Sequence, residues 1–162
     1  MAHLSAFDVG IGLLVVLTLV FANGFFVAAE FALVTVRKTR IDQLVAEGNR
    51  LARTVRRAVS DPDGYIAATQ LGITMASIGL GWVGEPTVAQ IIGPTLGLAA
   101  AHSIATVLAF ALITALHIVF GELAPKTIAL QHAERASLIV AKPTELFMTL
   151  FWPFIALLNA MG

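Results

Sequence analysis

Three apolar stretches of this sequence each carry a few polar residues that could bind a ligand. In the first stretch an asparagine and a glutamate are seven residues apart, about two helical turns, so both lie on one helix face. The second stretch carries an amide and two hydroxyl groups, and the third carries a histidine and a glutamate. In chain order, these polar residues are Asn23, Glu30, Gln70, Thr74, Ser77, His117 and Glu122.

These residues offer carboxylate, amide and hydroxyl oxygens, and the sequence contains no cysteine. Such oxygen donors favour a hard cation such as Mg²⁺, Ca²⁺ or Mn²⁺ over zinc or copper. Three nearby glycines, Gly24, Gly72 and Gly121, would let a helix unwind locally and free a backbone carbonyl as a further ligand. The pattern therefore predicts a divalent cation site without selecting one of the three ions.

Each candidate also has an ordinary structural interpretation. The two hydroxyl groups could bond to backbone carbonyls one turn earlier, and the histidine could be a packing residue. Glu30 could pair with Arg37 or Lys38, and Glu122 could pair with Lys126 four residues later. A binding site explains better than separate structural roles why three helices each bring oxygen donors to a similar depth.

The elements that must position these residues are membrane-spanning helices. The chain has 162 residues, of which 58% are hydrophobic and 12% are charged, whereas soluble domains carry about 25% charge. A domain of this size cannot bury so much apolar surface, so lipid must solvate much of it. The numbers of basic and acidic residues are equal, at ten each, which gives no indication of a nucleic-acid partner.

Four stretches lack Asp, Glu, Lys and Arg: 9–29, 64–84, 86–121 and 146–162. A helix of 21 residues, the length of the first two, spans roughly 31 Å and matches a hydrocarbon core of about 30 Å. The third stretch is too long for one helix and divides into an external segment near 85–101 and a span. The sequence thus predicts an all-α membrane protein, one transmembrane domain over 1–162, with spans near 8–36, 64–84 and 102–122.

The basic residues predict how the chain is oriented in the membrane. Seven lie between the first and second spans and three follow the third span, so all ten fall on one side. They are Arg37, Lys38, Arg40, Arg50, Arg53, Arg56, Arg57, Lys126, Arg135 and Lys142. Because cytoplasmic loops carry the excess of Lys and Arg, we expect a plasma-membrane protein with its N-terminus outside and its C-terminus in the cytoplasm.

Two further segments are predicted to be helical without spanning the membrane. Residues 38–60 have an apolar face and a basic face, and Gly48 and Asn49 divide them into two short cytoplasmic helices. The C-terminal part near 131–160 favours an amphipathic juxtamembrane helix, kinked at Pro143 and Pro153. A fourth span within 146–162 is the alternative, and it would move the C-terminus outside.

Four segments of the sequence resemble the membrane domain of the CNNM/CorC family of magnesium transporters. They are NGFFVAAEFALV from residue 23, RKTRIDQLVAEGNRLA from residue 37, ATQLGITMASIGLGWVGEP from residue 68 and GELAPKTIAL from residue 121. The resemblance implies a dimer in which three membrane helices and a juxtamembrane helix hold Mg²⁺ in an inward-facing cavity. It also implies cytoplasmic CBS domains, and this sequence ends where they would be joined.

The resemblance also implies which residues bind the ion. The glutamate of the family's Gly-Glu-x-x-Pro-Lys motif is Glu122, and the family's polar positions in the second and first spans fall on Ser77 and Glu30. A family serine is Val27 here, so Asn23 or a backbone carbonyl would replace its hydroxyl group. The full set of expected metal ligands is Glu122, Ser77, Glu30, Asn23, Gly72 and Thr74.

Two functions of different classes follow from these observations. The first is transport of Mg²⁺ across the membrane, with coupling to Na⁺ as implied by some family members. The second is a membrane-bound divalent-cation sensor or scaffold in which the ion site is structural. No nucleophile and base are arranged for catalysis, so we expect no enzyme activity. The resemblance implies a homodimer, and we expect the second and third spans to form its interface, with Gly72, Ala76 and Gly79 as a small-residue contact surface.

Overall fold

A computed structural model describes residues 6–96 and 101–161, and the side chains of 7–94 and 103–157. Every regular element within these ranges is a helix. Three helices there are long and apolar enough to cross a membrane: Phe7–Thr35, Pro62–Pro94 and Ser103–Gln131. The prediction of an all-α fold with three membrane-spanning helices is confirmed.

The described helices follow one another with short connections. They are α1 (Ala6–Thr35), α2 (Lys38–Ala46), α3 (Arg50–Ser60), α4 (Pro62–Leu96), α5 (Ala101–Leu116), α6 (Ala124–Gln131), α7 (Ala133–Leu150) and α8 (Trp152–Met161). A π-helical segment, His117–Leu123, joins α5 to α6, so that the third span continues from Ser103 to Gln131. Such segments are rare and occur often at functional sites.

Helix α4 is longer than the 64–84 span that the sequence predicts. It continues through Pro86 and Pro94 into the segment near 85–101 that we expected to lie outside the membrane. A proline in a helix removes one backbone donor, and in membrane helices side-chain hydroxyls and small local adjustments tolerate this loss. The carbonyl that Pro86 leaves without its helical donor is that of Trp82, and the Thr87 hydroxyl bonds the next carbonyl, that of Val83, at 2.7 Å. Residues 97–100 of the predicted segment lie outside the described residues.

Helix α1 lies at the centre of the fold and contacts α4, α6, α7 and the π-helical segment. Two apolar clusters surround it at different heights. Cluster A includes Ala29, Leu33, Ile41, Leu44, Val55, Tyr65, Ala129 and Val140, and cluster B includes Val16, Val20, Leu80, Val88, Ala109 and Ile113. Cluster A joins α1 to the short helices and α7, whereas cluster B joins the three spans. The basic helices α2 and α3 therefore lie at the end of the bundle that holds cluster A.

The small residues of α4 pack inside the chain, which corrects our expectation that they form a surface for a second copy. A Cβ atom on Gly72 would lie 2.5 Å from the ring of Phe26, and one on Gly79 would lie 3.3 Å from Leu19. Both neighbours belong to α1, and Ala76 between them is buried. Small residues allow close helix approach, and here α1 occupies that face.

The C-terminal part forms two helices that break near one of the predicted kinks. Helix α7 continues through Pro143, and the chain leaves helical geometry at Phe151 before α8 begins. Pro153 therefore lies in the first turn of α8, where its missing N–H costs no hydrogen bond. Buried Ser137, Val140 and Thr144 face the bundle, as expected for an amphipathic helix.

Two ion pairs connect the short helices to α7. The guanidinium of Arg40 contacts Glu134 at 3.0 Å, and that of Arg57 contacts Glu145 at 2.7 Å. The hydrogen bond from Arg40 lowers the pKa of Glu134 below its ordinary value. The contribution of this pair to stability is therefore present above the ordinary carboxyl range and is lost as the pH falls through the lowered pKa.

Gly48 sets the turn between α2 and α3. Its φ of 88° lies in the left-handed region, where a Cβ atom is strained. We expect Gly48→Ala to lower the free energy of unfolding by about 1 kcal/mol in thermal unfolding of the detergent-solubilised chain. The control is Gly81→Ala, because a Cβ at Gly81 meets nothing within 4 Å and its helix favours alanine. Equal stability of both variants would contradict a strained turn.

Candidate polar site between the spans

A polar layer joins the three membrane-spanning helices between clusters A and B. The amide nitrogen of Asn23 in α1 donates to the backbone carbonyl of Gly121 in the π-helical segment at 2.9 Å. The hydroxyl of Ser77 in α4 donates to the amide oxygen of Asn23 at 3.1 Å. The same hydroxyl lies 3.4 Å from Nε2 of His117. We call Asn23, Ser77, His117 and the Gly121 carbonyl the polar layer.

Burial makes these hydrogen bonds important for stability. Asn23 is 1% exposed, Gly121 is buried, and apolar residues of α1 flank the asparagine on both sides. An amide without partners in such surroundings costs several kcal/mol. Within the described residues, no buried side-chain nitrogen or oxygen lacks a partner. The polar layer is thus a closed hydrogen-bond network in this conformation.

Two glycines allow α1 and the π-helical segment to approach each other closely. A Cβ on Gly121 would lie 2.7 Å from the His117 ring and 3.2 Å from the Asn23 amide nitrogen. A Cβ on Gly24 would lie 3.0 Å from the backbone oxygen of Phe120, which cannot move aside easily. The close contact brings the Gly121 carbonyl within reach of the asparagine. We expected glycines to make a backbone carbonyl available as a ligand. Gly121 fits this expectation, because its carbonyl accepts a hydrogen bond from Asn23.

The structure brings together some of the expected ligands and separates others. Asn23 and Ser77 contact each other in the polar layer. Gly72 is covered by the ring of Phe26, and Thr74 is exposed on the surface of α4. Within the described residues, no group of three or more His, Cys, Asp or Glu side chains could hold a metal ion. Any ion in the polar layer would therefore rely on neutral oxygens together with at most one or two charged groups.

Glu122 follows the polar layer directly in the chain, but its carboxylate is not part of that hydrogen-bond network. Its side chain is exposed, and no hydrogen bond or ion pair involves it among the described residues. The alternative pairing with Lys126 is absent, because the Lys126 ammonium lies 4.4 Å from the centroid of the Phe31 ring instead. Glu122 follows Gly121 directly in the chain. Its carboxylate therefore belongs to the residue next to the carbonyl that Asn23 binds.

Glu30 lies in a different place, at the end of the bundle with the basic helices. It lines a cavity of about 190 Å³ together with Lys38, Tyr65 and Thr69. It forms no ion pair with Arg37 or Lys38 in the part of the chain that the structure describes. Glu30 and Asn23 share α1, but the structure gives them separate surroundings.

His117 is one of the polar residues noted in the third apolar stretch, but it was not among the six expected metal ligands. Its imidazole approaches the hydroxyl of Ser77 and would contact a side chain at Gly121. In an α-helix His117 and Gly121 are one turn apart, which is the sequence signal that could have placed them together. The sequence does not reveal the π-helical segment, which sets the actual positions of both residues.

The amino-acid pattern of the Cyclin M transmembrane N-terminal domain, abbreviated CNNM, matches residues 13–162. The chain belongs to the CNNM family. Its polar layer, π-helical segment and short basic helices are thus features of a CNNM membrane domain. The resemblance to this family in four sequence segments is confirmed.

Relatives from several bacteria are similar to this CNNM domain along nearly its whole length. UPF0053 protein YhdT of Bacillus subtilis is 50% identical over 154 residues, which cover 92% of this chain and 32% of the relative. UPF0053 protein YhdP of the same organism is 46% identical, with 92% and 35% covered. Uncharacterized protein Rv1841c of Mycobacterium tuberculosis is 39% identical, with 94% and 44% covered. The chain therefore spans about a third of the length of the first two.

Proposed function

We propose that this CNNM domain transports Mg²⁺ across the membrane through the polar layer. The observation that carries the proposal is the meeting of Asn23, Ser77 and the Gly121 carbonyl, which come from three different spans. These groups supply amide, hydroxyl and carbonyl oxygens, and a hard cation prefers such ligands. Polar groups at membrane depth are expensive and commonly mark an ion pathway.

Glu122 supplies the negative charge in this proposal. A π-helical segment holds one extra residue, and its migration by one position turns the following residue about 100° around the helix axis. Such a turn would carry the exposed carboxylate toward the polar layer and release the Gly121 carbonyl from Asn23. The closed network and an ion-bound arrangement are then two states of the same segment. Glu30, beside its separate cavity, would contact the ion before or after the polar layer.

The orientation and assembly of the domain are part of the same proposal. Nine of the ten basic residues lie outside the spans and fall on one side if the N-terminus is outside and the C-terminus is in the cytoplasm of a plasma-membrane protein, and Lys126 lies near the same end of the third span. We also propose a homodimer, whose interface uses faces of the second and third spans other than the one occupied by Gly72 and Gly79. Cytoplasmic CBS domains would regulate this transport, with Na⁺ as the coupling ion.

The second candidate is a divalent-cation sensor or scaffold in which the ion site is structural. The closed hydrogen bonds of the polar layer favour this function, since a static network suits a structural role. A sensor would bind Mg²⁺ without moving it. Binding alone therefore does not separate the two functions, and a flux measurement does.

Mg²⁺ flux into liposomes tests the proposed transport. The chain is reconstituted into liposomes that enclose a Mg²⁺-sensitive dye. Mg²⁺ is then added outside, with and without a Na⁺ gradient. We expect dye signals well above those of protein-free liposomes, and loss of the signal in Ser77→Val, which removes one oxygen of the polar layer. The control variant Thr74→Val changes an exposed hydroxyl on the same helix. Mg²⁺ binding without flux would favour the sensor or scaffold.

A further inference from the structure

A groove of about 610 Å³ lies at the end of the bundle that holds the basic helices. The end of α3, the first turn of α4 and the contact of α7 with α8 form its walls, with Arg57, Asp61, Tyr65, Glu145, Met148 and Trp152 among the lining residues. The candidate span of α4 begins at Pro62, directly after the charged helix α3, which is the transition expected where water meets lipid. Lipid headgroups occupy this level of a membrane.

The ion pair in the groove leaves part of its hydrogen-bonding capacity free. Both Nε and Nη2 of Arg57 bond the same carboxylate oxygen of Glu145, at 3.0 and 2.7 Å. Among the described residues, Nη1 of Arg57 and the second oxygen of Glu145 form no hydrogen bond. The two side chains are 60% and 31% exposed. The pair therefore presents one donor and one acceptor to a ligand in the groove.

Two more polar groups face the groove without a partner among the described residues. Tyr65 is 5% exposed, and its hydroxyl forms no hydrogen bond. No buried polar side-chain atom there lacks a partner, so this hydroxyl must be accessible, and the groove is the larger opening that Tyr65 lines. Asp61 is exposed, and its carboxylate has no hydrogen bond or ion pair. Met148 and Trp152 add an apolar wall, and aromatic rings of this kind are common at membrane interfaces.

We propose that this groove binds the headgroup of a phospholipid that carries a primary ammonium group. The phosphodiester accepts hydrogen bonds from Nη1 of Arg57 and from the Tyr65 hydroxyl. The ammonium group donates to Asp61 and to the free oxygen of Glu145, and an acyl chain lies along Met148 and Trp152.

The charges of the groove select this headgroup over an anionic one. One guanidinium and two carboxylates line it, so its side chains carry a net negative charge. An anionic headgroup without an amine would place its phosphate near two carboxylates and leave them without a cation. The exposed arginines Arg50, Arg53 and Arg56 lie elsewhere on α3 and have no carboxylate partners among the described residues. Anionic lipids would collect there instead.

Native mass spectrometry of the chain with equal amounts of phosphatidylethanolamine, phosphatidylcholine and phosphatidylglycerol tests this proposal. We expect phosphatidylethanolamine to be retained about fivefold more than phosphatidylcholine, whose quaternary ammonium donates no hydrogen bond. Phosphatidylglycerol should be retained less than phosphatidylethanolamine. Equal retention of all three lipids, or preferential retention of phosphatidylglycerol, would overturn the proposal.

Two variants test whether the retained lipid binds in the groove. Tyr65→Phe removes one hydroxyl, and Asp61→Asn removes one charge from a side chain without partners, so both changes should leave the fold intact. Asp61→Asn should reduce the preference for phosphatidylethanolamine about fivefold, whereas Tyr65→Phe, which removes a donor to the phosphate that all three lipids share, should lower the retention of all three about equally. Arg53→Gln, an exposed arginine of α3 that does not line the groove, should leave it unchanged. A preference that survives Asp61→Asn or falls equally in Arg53→Gln, or a total retention that Tyr65→Phe leaves unchanged, would contradict the assignment.

Discussion

Replacing Asn23 by alanine should lower the free energy of unfolding by about 2–4 kcal/mol. The substitution removes the donor to the Gly121 carbonyl and the acceptor for Ser77, and leaves a void between three helices. A carbonyl without a partner inside a membrane bundle keeps its full desolvation cost, because no water replaces the lost bond. Unfolding of the detergent-solubilised chain, by heat or denaturant, measures the loss.

Thr18→Ala is the matched control for this prediction. Thr18 lies on the same helix, but it is exposed and its hydroxyl bonds the carbonyl of Leu14 one turn earlier. Surface substitutions of this kind usually change stability by less than about 0.5 kcal/mol. If Asn23→Ala were as mild as Thr18→Ala, the polar layer would not hold the three helices together.

Replacing Glu122 by glutamine should weaken Mg²⁺ binding by about 3–5 kcal/mol, or roughly 100- to 4,000-fold in the dissociation constant. In the proposed ion-bound arrangement the carboxylate turns into the buried polar layer, where the other ligands are neutral, so its loss would leave the ion without a charged partner. Since the side chain is exposed and unpaired in the conformation described, the substitution should leave stability nearly unchanged. Loss of ion binding without loss of stability distinguishes a ligand from a structural residue.

Composition and charge predict the helical fold and the three spans well, because lipid strongly restricts which backbone structures can cross a membrane. A helix must satisfy its own backbone in lipid, so long uncharged stretches identify the three spans. The division of 38–60 into two helices at Gly48 and Asn49 was also predicted, and the structure explains it by the positive φ of Gly48 and by the Asn49 side chain, which caps α3. Local chemistry fixes these features without reference to the rest of the chain.

The length of α4 and the packing partners were harder to predict. Pro86 and Pro94 ordinarily end a helix, but in α4 the chain continues through both. The face with Gly72 and Gly79 indicates close packing, and the sequence does not say whether the partner is α1 or a second copy. Such choices depend on contacts between distant segments, which periodicity does not encode.

The candidate site was predicted in part for the same reason. Asn23 and Ser77 were expected from their polar side chains in apolar stretches, and they do contact each other. The π-helical segment places His117 and the Gly121 carbonyl beside them and leaves Glu122 exposed. A single added residue in a helical turn rotates everything after it, so small backbone changes decide which candidates meet.

Calorimetric titration of Mg²⁺ into the purified chain and two glutamate variants tests the central claim most directly. Our account predicts that Glu122→Gln loses most of the affinity, whereas Glu30→Gln, which lines the separate cavity, loses far less. Glu47→Gln, at an exposed residue outside the spans, serves as the control and should bind as the unmodified chain does. Unchanged affinity in Glu122→Gln together with abolished binding in Glu30→Gln would place the ion at the basic end of α1 and contradict a site in the polar layer.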